Sequence, residues 1–73
     1  MNKLDKRMTI TINAYGEEVK ITAPAWLLND ISLAYSYWAE YCESKGGKEV
    51  MRDAAENTST QIYQQLKDKG LYE

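Results

Sequence analysis

The stretch PAWLLNDISLAYSYWAEYCESK, residues 24–45, decides how the rest of the chain is read. At roughly 100° per residue, Leu27, Leu28, Ile31, Ala34, Tyr35, Trp38, Tyr41 and Cys42 fall on one broad face of a helix. Trp26, Leu33 and Tyr37 cluster on nearly the opposite side. A surface helix of a small domain needs one apolar face to build a core. The second face must also be covered, either by the rest of this short chain or by another molecule.

Upstream of this helix the period changes from 3.6 to two. Residues 7–13 alternate, with Met8, Ile10 and Ile12 on one side and Thr9, Thr11 and Asn13 on the other. Residues 18–22 repeat the pattern with Val19 and Ile21. The short join Ala14-Tyr15-Gly16-Glu17 contains a glycine that can take positive φ, so the two strands form an antiparallel hairpin over residues 7–22. Its expected register sets Ile10 and Ile12 opposite Val19 and Ile21. Thr22 then offers a hydroxyl cap and Pro24 falls in the first helical turn, where its missing N–H costs nothing.

Downstream, Gly46-Gly47 supplies a left-handed cap and an elbow. A second helix is expected over residues 48–69. Its stripe is Met51, Ala55, Thr58 or Ser59, Ile62 and Leu66, flanked by Val50, Ala54 and Tyr63. Lys67 and Lys69 complement the macrodipole in the last turn, and Gly70-Leu71 reads as a glycine cap with its apolar partner folding back. Residues 1–6 are polar and read as a frayed lead-in. The expected architecture is a single α+β domain over residues 1–73, an N-terminal β-hairpin packed on an antiparallel helix pair, in the order ββαα.

The 73 residues limit what such a domain can bury. Chains this short cover only about 60% of their unfolded surface, and one core without staples leaves roughly 3–5 kcal/mol. Cys42 is the single cysteine, so no intrachain disulfide forms, and no histidine is present to complete a zinc site. A reducing, cytoplasmic setting fits this usage. No signal-peptide pattern opens the chain, and the longest apolar run, residues 23–28, falls short of the ~18 residues a membrane span requires. Nine basic and eleven acidic residues give a net charge of −2, without general attraction to nucleic acid or an anionic membrane.

The chemistry of catalysis is sparse. The commonest general base, histidine, is missing. Cys42 lies mid-helix on the apolar stripe, away from a helix N-terminus that would activate it. The carboxylate pairs Glu17-Glu18, Glu40 with Glu43, and Glu49 with Asp53 lack calcium-loop spacing and read as solvated faces. Gly46-Gly47-Lys48 lacks the rest of a phosphate loop. Non-enzymatic action is therefore expected, with no catalytic, cofactor-binding or metal-binding residue to name and no small-molecule substrate in view. Six tyrosines and no phenylalanine suit half-exposed positions, and they suit protein interfaces equally.

Two coverings of the second stripe are open. In one, helix two covers the broad face while the hairpin covers part of Trp26, Leu33 and Tyr37. In the other, the hairpin shares the broad face, and Trp26, Leu33, Tyr37 and Tyr41 form an interface with a second copy or a protein partner. Asp30, Glu40 and Ser44 would then form its polar rim. The interface reading, with a homodimer through the first helix, is the more specific expectation. The alternative is a DNA-binding regulator. Strand, helix, helix is the order of the ribbon-helix-helix repressors, which dimerise by pairing one strand and read the major groove with its outward side chains. The outward set here would be Thr9, Thr11 and Arg7. The hairpin, the long first helix, Glu49 and Asp53 in the first turn of helix two and the acidic balance depart from that pattern.

Trp26, Leu28, Asn29, Asp30, Ile31 and Tyr35, followed by Ile62, Tyr63, Leu66, Lys67, Lys69, Gly70, Leu71, Tyr72 and Glu73, carry a further likeness. The layout resembles small uncharacterised proteins encoded by bacterial phages and prophages. In these a hairpin precedes a Trp-Leu-x-Asn-Asp-Ile-like helix and the chain closes on Lys-Gly-Leu-Tyr-acidic. The resemblance covers most of the chain and its motifs are structural. It implies a compact accessory protein, a host-directed binder among the options, and supplies no site.

Overall fold

In the computed structural model, residues 3–14 and 16–71 are described. A short 3-10 turn, Lys3–Asp5, precedes strand β1 (Arg7–Ala14) and strand β2 (Glu17–Pro24). Helices α1 (Ala25–Lys45) and α2 (Glu49–Asp68) complete the chain. The molecule is a two-stranded antiparallel sheet followed by two helices, the expected ββαα arrangement.

The hairpin follows from its alternation. Ile10 faces Ile21 and Ile12 faces Val19, the register that puts every apolar side chain of the pair on one face. Ala14 pairs with Glu17, and Gly16 takes φ 84°, a conformation that a side chain would strain. Tyr15 lies outside the described residues. On the opposite face the Thr9 and Thr22 hydroxyls meet at 2.7 Å.

That contact revises the start of α1. Thr22 is a strand residue and caps nothing, and Pro24 stands one position before the helix with an extended ψ of 146° and no side-chain cap. The first helical amide, Ala25 N–H, instead donates to the Lys6 carbonyl at 2.9 Å. The lead-in segment therefore has a structural task, because it takes up one of the donors that a helix start leaves unpaired. At its far end α1 stops at Gly46, φ 67°, whose N–H donates to the Glu43 carbonyl. Helix α2 ends as its sequence suggests: Leu71 N–H returns to the Leu66 carbonyl at 3.2 Å, and the Leu71 side chain packs against the core.

The core is small. Ile10, Ile12 and Ala23 from the sheet meet Leu28 of α1 and Ile62 and Leu66 of α2, with Met8, Ile21, Ile31, Tyr35 and Leu71 around them. Between the helices the seam consists of small and polar residues, with Ala25, Ser32, Ala39 and Cys42 buried on α1 and Ala55 and Thr58 buried on α2. At its centre two serines clasp. Ser32 Oγ donates to the Ser59 carbonyl at 3.1 Å and Ser59 Oγ donates to the Ser32 carbonyl at 2.8 Å. Thr58 satisfies its own hydroxyl on the Ala54 carbonyl at 2.9 Å. Among the described residues no buried side-chain polar atom lacks a partner.

The sheet is tied to α2 by a second device. Gln65 Oε1 accepts from Thr11 N–H at 3.2 Å while Gln65 Nε2 donates to the Thr11 carbonyl at 2.7 Å. One turn earlier, Gln61 does the same for Asn13, at 2.8 and 2.9 Å. Two glutamine amides thus stand where a third strand would, and they close the outer edge of β1. Replacing Gln65 with Ala should cost about 0.5–1.5 kcal/mol in urea denaturation and speed hydrogen exchange at the Thr11 amide. Gln61→Ala should act likewise at Asn13, and unchanged exchange at both amides would mean the clamp is not formed in solution.

Candidate protein-interaction face

Because α2 approaches α1 along the small residues, it covers a narrow strip of the longer helix. The buried line of α1 is Ala25, Leu28, Ser32, Ala39 and Cys42. Ile31 and Tyr35 are half-buried against the core cluster. Four residues expected on the core side, Leu27, Ala34, Trp38 and Tyr41, are instead exposed. The physical reason is reach. On α1 the core cluster is met by Leu28, Ile31 and Tyr35, so the sheet covers one narrow sector of the helix, and a close helix pair leaves no room between its members for indole or phenol rings.

The opposite stripe is open as well. Trp26 is 46% exposed, Leu33 47% and Tyr37 66%, and Tyr41, from the broad face, is 48% exposed beside them. Part of the broad face and the second stripe therefore merge into a band of exposed apolar residues along the outside of α1. Its members are Trp26, Leu27, Leu33, Ala34, Tyr37, Trp38 and Tyr41, with the exposed Asp30 standing among them. Neither the hairpin nor α2 fully buries Trp26, Leu33 or Tyr37.

Within the band the aromatic rings are partly ordered by one another. Trp38 and Tyr41 stack with centroids 5.3 Å apart and planes 16° from parallel, and Lys45 Nζ lies 5.5 Å from the Tyr41 centroid. These contacts follow helical spacings of three and four residues, which place the two rings and the ammonium on one face. Of the expected rim, Asp30, Glu40 and Ser44 are all exposed, and Ser44 Oγ donates to the Tyr41 carbonyl at 2.8 Å. Val50 and Met51, just past the elbow on α2, add further exposed apolar surface.

Other features offer little chemistry. An open groove between the helices is lined by Ser36, Ala39, Glu40, Glu43, Glu56, Ser59 and Thr60. Among the described residues no group of three side chains is placed to hold a metal ion. Cys42 is a buried free thiol beside the elbow. Arg52 donates from Nε and Nη2 to Asp53 Oδ1 at 3.2 and 3.0 Å. That hydrogen bond and the carboxylate charge hold its pKa above the ordinary guanidinium value, so it stays cationic and switches nothing. No helix of the described residues is long and apolar enough to cross a membrane.

Comparison with protein-family models, with curated proteins and with solved structures gives no match. If the outer face is uncovered in the isolated chain, Tyr37→Ala should change stability by no more than about 0.5 kcal/mol. Leu28→Ala, in the core, should cost about 2–5 kcal/mol. Urea denaturation of the two variants checks this, and equal losses would place Tyr37 in the core.

Proposed function

We propose that this chain is a non-enzymatic binding module that engages protein through the outer face of α1, with Trp26, Leu33, Tyr37 and Tyr41 as its anchors. The observation that carries the reading is the size and continuity of the uncovered band. Contiguous apolar surface of this kind on a small domain marks an interaction site, and aromatic residues supply most of the energy at such sites. The simplest occupant is a second copy. A two-fold axis brings the same apolar stripe from both chains together and needs no further complementarity. A domain with a core this small also gains stability by associating.

The resemblance to phage and prophage proteins favours a host protein as a further target, in the cytoplasm of the cell where the chain is made. The DNA-binding alternative has less support. A ribbon-helix-helix dimer pairs its first strand with its twin, whereas β1 here carries β2 on one edge and Gln61 and Gln65 on the other. Its outward side chains, Arg7, Thr9 and Thr11, face a strand that contributes Glu18 as well as Lys20.

Light scattering across a hundredfold dilution series tests the reading. The expected result is a dimer that dissociates on dilution. The double variant Leu33→Gln/Tyr37→Gln should keep the helical circular dichroism of the parent and run as a monomer throughout. A variant that unfolds would instead assign these residues to the core. Retardation of non-specific duplex DNA at low salt, lost steeply as salt rises, would favour the alternative.

A further inference from the structure

The two edges of the hairpin are treated differently. Thr11 and Asn13 turn their backbone groups toward Gln65 and Gln61, away from β2. Their cross-strand partners, Lys20 and Glu18, therefore turn theirs away from β1, as residues of a non-hydrogen-bonded antiparallel pair do. Among the described residues no strand or clamp covers that outer edge of β2, and Glu17, Glu18, Val19, Lys20 and Thr22 are all exposed. An open edge is a template for another strand.

We infer that the outer edge of β2 pairs antiparallel with the same edge of a second copy, about a two-fold axis at Val19, to give a four-stranded sheet. Charge complementarity selects the occupant and the register. With Val19 opposite Val19 of the partner subunit, Glu18 faces the partner's Lys20 and Lys20 faces the partner's Glu18. Each pair exchanges two backbone hydrogen bonds, and both charge pairs lie on the polar face of the sheet. Moving the axis one residue toward α1 sets Lys20 against its own copy, which repels. Moving it two residues sets Glu18 against Pro24, which has no N–H to give.

Among the described residues neither charge has an ion-pair partner within the chain. Inside the hairpin Glu18 faces Asn13 and Lys20 faces Thr11, both neutral. The pairing is also continuous with the apolar band. The outer edge of β1 is held by α2, and β2 runs straight into α1 and touches it. This inference rests on the self-association reading above and names the contact that sets its register.

The test is a charge swap read by light scattering and by hydrogen exchange. Lys20→Glu alone and Glu18→Lys alone should each weaken the dimer at least about tenfold, because two attractive cross-strand pairs become repulsive. Mixed in equal amounts, the two variants should re-form a heterodimer. One chain then carries only glutamate at positions 18 and 20 and the other only lysine, so both cross-strand pairs are attractive again. In the wild type the Glu18 and Lys20 amides should be protected at high concentration and exchange freely on dilution. A dimer that survives Lys20→Glu unchanged, yet falls apart in Leu33→Gln/Tyr37→Gln, overturns the strand pairing and keeps the α1 interface. A wild-type chain that is monomeric throughout overturns both forms of self-association, leaves Lys20 as a guard against edge pairing, and leaves the α1 face to a different protein. Failure of the variants to re-associate on mixing, with each separately monomeric and folded, also overturns the register.

Discussion

The close approach of α1 and α2 at Ser32 and Ser59 is the constraint on which the rest of the structure depends. Two hydroxyls that donate reciprocally across the seam, at 3.1 and 2.8 Å, need backbones near enough for each side chain to reach the other helix's carbonyl. Only alanine, serine, threonine and cysteine fit along such a seam, and these are the residues buried there beside Leu28, Ile62 and Leu66. The large rings of α1 have no place between the helices. Tyr35 packs against the core cluster, while Trp26, Tyr37, Trp38 and Tyr41 are turned outward, and the apolar band is the result.

The same narrow pairing explains why the hairpin needs help. A two-stranded sheet is marginal alone, and here only Ile10, Ile12 and Ala23 of its residues are buried in the core cluster. The glutamine pair on α2 supplies directional bonds where apolar area is scarce. Each amide offers a donor and an acceptor in the geometry of a peptide group, and the spacing of four along α2 matches the spacing of two along β1. In extended chain two residues advance about 6.6 Å, in a helix four advance about 6 Å. One edge of the sheet is thereby closed, and the other is left with its backbone groups and its Glu18 and Lys20 charges facing outward.

The proposed function is accordingly a matter of surfaces. The chain has no histidine, and among the described polar side chains Ser32 and Ser59 clasp the helices while Gln61 and Gln65 clamp β1. What it presents in quantity is exposed aromatic area on one helix and, among the described residues, an open outer strand edge on β2. Both belong to the side of the molecule that α2 does not reach. An association that buries them adds to a core that a chain of this length cannot enlarge by itself.

Much of the architecture was legible in the residues because it rests on local period and turn chemistry. Ile10, Ile12, Val19 and Ile21 announce a hairpin and its register, Gly46 an elbow, and Gly70 with Leu71 a helix end. The doubled apolar pattern of residues 24–45 is equally plain, and Trp26, Leu33, Tyr37 and Tyr41 could be singled out from it. The glutamines at 61 and 65 carried a weaker signal, an i, i+4 pair of amides flanking an apolar stripe, and polar residues on a helix read first as solvated. Thr22 passed for a cap because strand and cap both favour threonine. Which side of α1 would be covered could not be read from period alone, since Leu27 and Trp38 are as apolar as Leu28. That was decided by tertiary structure, where a seam of small residues set the distance between two helices and so determined which side chains there was room to bury.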